Sequence, residues 1–158
     1  MKNPICGHQS VLLGPVPGVY DREFDCDLRL APLITELWRH KIAVYNCCQG
    51  DLWPHQQATL TLGAAEVEGL LQIVMASTDR NAVLADRIFN TTAANAWSYA
   101  THPVPVRDSQ DGYVLCTGTE DCGCNDIIML TQITMPAADA QHLVSILTTT
   151  PVAVSDEG

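Results

Sequence analysis

The chain has 158 residues, enough for one domain with a hydrophobic core but too few for two domains of ordinary size. Hydrophobic residues make up 47% of it and charged residues only 16%, a balance typical of a folded globular protein rather than a disordered one. Eighteen acidic residues against eight basic ones give a net charge of -10, which repels phosphate backbones and argues against general nucleic-acid binding.

The N-terminus and the cysteines bear on the compartment. No apolar run approaches the roughly 20 residues that span a bilayer, and the N-terminus lacks the charged and then apolar layout of a signal peptide. The seven cysteines are an odd number in a chain long enough to fold without disulfides, which favours reduced thiols or metal ligands. We therefore expect a cytoplasmic protein that does not cross a membrane.

Composition divides the chain into three parts. Residues 1–19 hold three prolines and three glycines, which predicts an irregular arm with at most a short strand at 11–13. A single α+β domain is expected over residues 20–150. The last residues, 151–158, are acidic and are expected to be flexible.

Helical spacing predicts the first helix. Asp27 can cap a helix that begins near Leu28 and ends near His40, with Pro32 tolerated in the first turn. Its apolar face would carry Leu30, Leu33, Ile34, Leu37 and Trp38.

A strand predicted over residues 42–45 leads into a corner formed by Cys47, Cys48, Gln49 and Gly50. The corner has three interpretations. Either cysteine is the nucleophile of an enzyme if a neighbouring group lowers its pKa. Alternatively, a small ligand binds there, because Gln49 offers a donor and an acceptor and Gly50 permits close backbone approach. That ligand site comprises Cys48, Gln49, Gly50 and Trp53. In the third interpretation the cysteines are buried small apolar side chains.

A strand-helix unit is then predicted twice. Residues 60–74 and 133–147 align with an offset of 73 positions, and each reads as an alternating strand that enters a helix. The identical pairs are Thr61 and Thr134, Ala64 and Ala137, Ala65 and Ala138, Leu70 and Leu143, and Ile73 and Ile146. Glu66 matches Asp139 in charge.

Local patterns predict the elements between and around the two copies. In chain order they are a helix within 79–94, a strand over 96–100, a loop over 101–112, a strand over 113–117, a turn over 118–125 and a strand over 126–134. We expect the two strands beside the turn to form a hairpin. Trp38 and Trp97 are expected in the core.

These elements predict an α+β two-layer sandwich, with a mainly antiparallel sheet and helices on one face. We expect a ferredoxin-like topology, because the duplicated strand-helix unit is compatible with it. No phosphate-binding glycine loop, dinucleotide fingerprint or serine-hydrolase elbow occurs.

Three cysteines near the predicted turn, Cys116, Cys122 and Cys124, are candidate metal ligands. Zn²⁺ favours four thiol or imidazole ligands in a tetrahedral array. Cys122 and Cys124 stand one residue closer than the usual Cys-x-x-Cys knuckle, so two interpretations stay open: a structural zinc ion, or an exposed turn with incidental thiols.

Acidic residues alternate at Asp21, Glu23, Asp25 and Asp27, and an extended segment would place all four carboxylates on one side. This pattern is typical of a solvated strand face. Its functional interpretation is a negative surface that meets a basic protein.

The stretch LAPLITELWRHKIAVYNCCQGD, residues 30–51, resembles a group of small proteins of actinobacteria and their phages. These proteins carry a helix of the form LAPLI..LW and a strand ending in Ser-Cys-Gln-Gly, and they lack an assigned activity. The matching residues are Leu30, Ala31, Pro32, Leu33, Ile34, Leu37, Trp38, Ile42, Cys48, Gln49 and Gly50, with Cys47 at the serine position. The resemblance implies an accessory protein of such an origin, located in the host cytoplasm if a phage encodes it.

The corner is also similar, more remotely, to the wybutosine-synthesis tRNA methyltransferase family, whose segment ends in Ser-Ser-Cys-Ser-Gly. Only Cys48 and Gly50 match, and Asp51 replaces the basic residue that follows in that family. The net charge argues against a tRNA substrate.

We therefore expect a small binding protein whose partner is a basic protein surface or a small-molecule ligand. The alternative is a small cysteine-dependent enzyme or transferase that uses Cys47 or Cys48.

Overall fold

A computed structural model of the protein describes residues 9–16, 23–48, 57–77, 82–90, 92–109, 112–115 and 125–152. The strands are β1 Ser10–Leu13, β2 Phe24–Asp27, β3 Val44–Cys48, β4 Gln57–Gly63, β5 Ser98–Ser109, β6 Gly112–Leu115 and β7 Asp126–Pro136. The helices are α1 Ala31–Arg39, α2 Ala64–Ala76, α3 Ala82–Phe89 and α4 Ala137–Thr149. None of the helices in these segments is long and apolar enough to cross a membrane.

The strands form two antiparallel sheets. β1 pairs with β2, and the larger sheet has the order β3-β4-β7-β5-β6 with antiparallel pairing throughout. The predicted α+β class with a mainly antiparallel sheet is confirmed. The ferredoxin-like topology is not confirmed, because two helices lie between β4 and β5 and the neighbouring strands β4 and β7 are antiparallel.

Alternation along the central strands separates a buried face from a polar face. β4 buries Ala58, Leu60 and Leu62, whose cross-strand partners on β7 are Met135, Ile133 and Thr131, also buried. Helices α1, α2 and α4 pack over this face of β3, β4 and β7. The core therefore lies between one sheet face and the helices.

The first helix forms much as its sequence predicts. Asp27 precedes a single 3-10 turn, Leu28–Leu30, and α1 follows with Pro32 in its first turn. The predicted cap is wrong, because the Asp27 side chain makes no capping hydrogen bond to this turn. A Schellman motif caps the C-terminus of α1. In it, the Ile42 amide donates to the Leu37 carbonyl oxygen and the Lys41 amide donates to the Trp38 carbonyl oxygen. Lys41 adopts the left-handed conformation that this cap requires, with φ of 62°.

The loop predicted over residues 101–112 is wrong, because β5 continues to Ser109. Two prolines, Pro103 and Pro105, prompted the loop prediction. They fit the strand because β6 pairs with β5 only from Val106 onward, which makes β5 an edge strand at both prolines.

The hairpin predicted across residues 118–125 is also wrong. β6 pairs with β5, with Ser109 opposite Gly112, whereas β7 pairs with β4 and β5. β6 pairs with β5 because only residues 110 and 111 separate the two strands. Closing this short loop costs less conformational entropy than closing the longer loop between β6 and β7.

The acidic segment before α1 is not a solvated face. Asp27 is fully buried and Asp25 is half-buried, because β2 pairs with β1 and also contacts α1 and β3. Asp21 lies outside the described residues, as do parts of the predicted N-terminal arm and acidic tail.

We predict that Lys41→Gly stabilises the protein. Glycine adopts a positive φ without the steric penalty of a side chain, so the free energy of unfolding should rise by about 0.5 to 1 kcal/mol. Urea denaturation with an unchanged m-value would measure it. Asn95 also has a positive φ, of 58°, but asparagine tolerates this conformation, so Asn95→Gly is the control and should change stability less. A destabilised Lys41→Gly variant would contradict the assignment of the cap.

Candidate functional site

The two cysteines of the predicted corner lie on opposite faces of β3. Cys47 pairs with Leu60 on the core side and is only 4% exposed, whereas Cys48 pairs with Thr59 on the polar side and is half-buried. The strand therefore reaches further than predicted, through both cysteines. Gln49, Gly50 and Trp53, the other members of the predicted ligand site, lie outside the described residues.

Cys47 meets a second buried thiol on β2. Its sulfur lies 3.7 Å from that of Cys26, and the Cys26 thiol also donates to the Asp27 carbonyl oxygen at 3.3 Å. The hydrogen bond with Cys47, together with burial, raises the pKa of the Cys26 thiol far above its usual range. A nucleophilic cysteine needs the opposite environment, an accessible thiol whose pKa is lowered. This geometry favours the interpretation of Cys47 as a buried apolar side chain.

The predicted metal ligands Cys116, Cys122 and Cys124 lie outside the described residues. In the part of the chain that the structure describes, no three His, Cys, Asp or Glu side chains lie close enough together to hold a metal ion. The structural zinc ion stays a prediction.

An apolar groove of about 460 Å³ lies between α2 and the face of β5 and β7, and we call it the α2–β5 groove. Its volume falls in the range of ligand sites in proteins, about 300 to 1,000 Å³. The side chains that define it are Val67, Leu71 and Met75 on α2, Phe89 at the end of α3, and Tyr99, Thr101 and Thr131 on the two strands.

The groove follows from the way α2 sits on the sheet. Val67, Leu70 and Val74 are buried against the strands, and the neighbouring stripe with Leu71 and Met75 faces sideways over β5. On the floor, the hydroxyls of Thr101 and Thr131 are 2.7 Å apart and hydrogen-bond to each other, so they need no ligand or water to satisfy them.

Tyr99 closes one end of the groove together with Phe89. The Tyr99 hydroxyl donates to the Ile88 carbonyl oxygen at 3.1 Å, and burial raises the pKa of this phenol to about 12. The ring is therefore held against α3 as a neutral apolar wall.

The apolar surface continues beyond the groove along β7. Strand alternation puts Met129 and Ile127 on the same face as Thr131, opposite Pro103 and Pro105 on β5. Met129 is 47% exposed and Ile127 62% exposed. An apolar stripe in water at this position is typical of a surface that another molecule covers.

The end of α3 is positioned by a buried ionic network. Asp139, in the first turn of α4, is 2% exposed and accepts hydrogen bonds from both Arg87 and the Trp97 indole. The carboxylate raises the pKa of Arg87. The Trp97 amide also donates to the Arg87 carbonyl oxygen at 2.7 Å. Because these bonds join α3, the start of β5 and α4, they hold Phe89 and Tyr99 in place.

The described charges around the groove are mainly acidic. Glu68 lines it, and Asp86 is exposed one turn before Phe89. Arg87 is also close, but its charge is already paired with Asp139.

Sequence reasoning missed this site because its members come from α2, α3, β5 and β7 and share no local pattern. One signal was present. Asp139 falls on the face of α4 that also carries Ala140 and Leu143, and a carboxylate on an apolar helix face indicates a buried partner.

Comparison with known proteins identifies no relative. No family model matches the sequence, and no curated protein or solved structure is significantly similar to the chain. The resemblance to the actinobacterial and phage proteins stays a prediction.

We predict that Asp139→Ala lowers the free energy of unfolding by about 3 kcal/mol or more, because it leaves the Arg87 charge and the Trp97 indole N–H without their acceptor. The control is Glu36→Ala, which breaks the exposed Glu36–Arg39 ion pair and should cost less than about 1 kcal/mol. Chemical denaturation of both variants measures the difference. Equal small losses would show that the network does not hold α3.

The Cys26 environment predicts a loss of stability at high pH. Above the ordinary thiol pKa of about 9, the unfolded chain releases the Cys26 proton while the folded protein retains it. The raised pKa of this thiol therefore contributes fully to the free energy of unfolding below that pH. Above it, the contribution declines by up to about 1.4 kcal/mol per pH unit. Urea titrations between pH 8 and about pH 10 would show a shallower decline for Cys26→Ala than for the wild type. Identical slopes would contradict the raised pKa.

Proposed function

We propose that the protein is a non-catalytic binding protein whose ligand occupies the α2–β5 groove. The observation that carries this proposal is the continuous apolar surface formed by the groove and the stripe of Met129 and Ile127. Burial of such a surface in a complex is favourable by about 25 cal/mol for each Å² removed from water.

The cysteine-dependent enzyme is the weaker alternative. Cys47 is buried, and its neighbour Cys26 holds its proton strongly, so neither thiol has the character of a nucleophile. Cys48, on the opposite face of the sheet from the groove, stays with the predicted corner as a second proposed ligand site.

We also infer that the two strand-helix units arose by duplication. The buried residues of α2, Val67, Leu70 and Val74, correspond at the offset of 73 positions to Ala140, Leu143 and Leu147, which α4 buries. The equivalent residues Leu60 and Ile133 lie directly opposite each other in the β4–β7 pair, as a twofold arrangement requires. Both observations support the inference.

Binding of Nile red, a neutral apolar dye, tests the proposed site. Met75, Phe89 and Leu28 are all 48% exposed, but only Met75 and Phe89 line the groove. Met75→Ser and Phe89→Ser should each weaken dye binding by about threefold to fivefold, because each removes apolar contact worth about 1 kcal/mol. Leu28→Ser is the matched control and should bind like the wild type. Fluorescence titration measures the three affinities. If all three variants bind as the wild type does, the groove is not the site.

A further inference from the structure

We propose that the occupant of the α2–β5 groove is a basic amphipathic helix from a partner protein. This inference rests on the proposed function and names the class of ligand. It draws on the arrangement of the helices over the sheet and on the charges beside the groove.

Among the described residues, no helix covers part of the sheet face beside α2. The described helices α1, α2 and α4 cover β3, β4 and β7, and α3 contacts β5 near its start, at Tyr99. Beyond that point, the face of β5 and β7 carrying Met129 and Ile127 is exposed.

The corresponding position beside α4 is already filled by a helix. There, α4 contacts α1, and Ala140, Gln141 and Val144 line a small cavity of about 210 Å³ together with Leu30 and Leu33 at the start of α1. The α2 residues with the same spacing, Val67, Glu68 and Leu71, line the groove instead. Within the described residues, α2 thus presents to the groove the same helix positions that α4 presents towards α1. A surface of this shape is suited to a helix.

The length of the groove and its stripe also suits a helix. The face of β5 from Tyr99 to Pro105 is about 20 Å long at 3.4 Å per residue, which equals about 13 residues of α-helix. A partner helix of this size can lay apolar side chains at helical spacing along the stripe.

The acidic residues beside the groove favour basic residues on the polar face of the partner helix. Glu68 lines the groove and Asp86 is exposed one turn before Phe89, whereas the Arg87 charge is paired with Asp139. The whole chain carries -10, which also opposes pairing of this face with a second copy of the chain. Lysine or arginine on the outer face of the partner helix would complement these carboxylates.

Two synthetic peptides of about 14 residues provide the test, each with the same leucine and phenylalanine face at helical spacing. One carries lysine and the other glutamate at every polar position. Calorimetric titration against the full chain should show binding of the lysine peptide, weakened as salt rises, and at least tenfold weaker binding of the glutamate peptide.

Variants locate the binding site. Met75→Ser and Phe89→Ser should each lower the affinity for the lysine peptide by about threefold to tenfold. Leu28→Ser should bind the peptide as the wild type does. Glu68→Gln should weaken it by about twofold to fivefold, whereas Glu23→Gln, at an exposed residue before β2, should not.

The outcomes separate this inference from the proposed function. If both peptides bind equally and the groove variants weaken both, the charge selection is wrong and the groove site stands. If Nile red binds in the groove but neither peptide does, the helical occupant is wrong and a small apolar ligand replaces it. If neither probe responds to the groove variants, both proposals fail.

Discussion

The carboxylate of Asp139 links three separate parts of the chain in the interior of the protein. It accepts hydrogen bonds from Arg87 on α3 and from the indole of Trp97, and it lies in the first turn of α4. A buried carboxylate is costly unless its oxygens are paired, so α3 and the start of β5 are held where these donors reach it. The position of the helix also fixes the Ile88 carbonyl, which accepts the hydrogen bond from Tyr99. One wall of the groove therefore depends on a contact made on the far side of α3.

The same helix position has a different role in α2. Glu66, 73 positions before Asp139, accepts a hydrogen bond from the Gly63 amide at 3.2 Å and caps its own helix. Among the described residues, Glu66 makes this local bond in place of the long-range ionic link that Asp139 makes. Two further hydrogen bonds join α1 to α4, because the side chains of Arg39 and His40 both donate to the Leu147 carbonyl oxygen. Among the described residues, the side of α2 that faces β5 has no such helix fastened to it, and the groove lies on this side.

Much of the fold could be predicted from the sequence because its signals are local. The alternation in β4 and β7 and the helical spacing in α1, α2 and α4 lie within single segments, and Trp38 and Trp97 are buried as expected. The second half of β5 could not be predicted in this way. Pro103 and Pro105 oppose a strand by local rules, and only the position of β6 explains why they are tolerated.

The candidate site, unlike most of the fold, depends on tertiary contacts rather than on local sequence patterns. The sequence by itself determined the α+β class, the acidic net charge and the reactive residue types, because composition and periodicity are properties of short stretches. Only the tertiary structure decided that Cys47 faces Cys26 in the core, that Arg87 and Trp97 share one carboxylate, and that α2 and β5 enclose an apolar groove. Each of these depends on contacts between residues far apart in the chain, and no local pattern specifies which distant side chains meet.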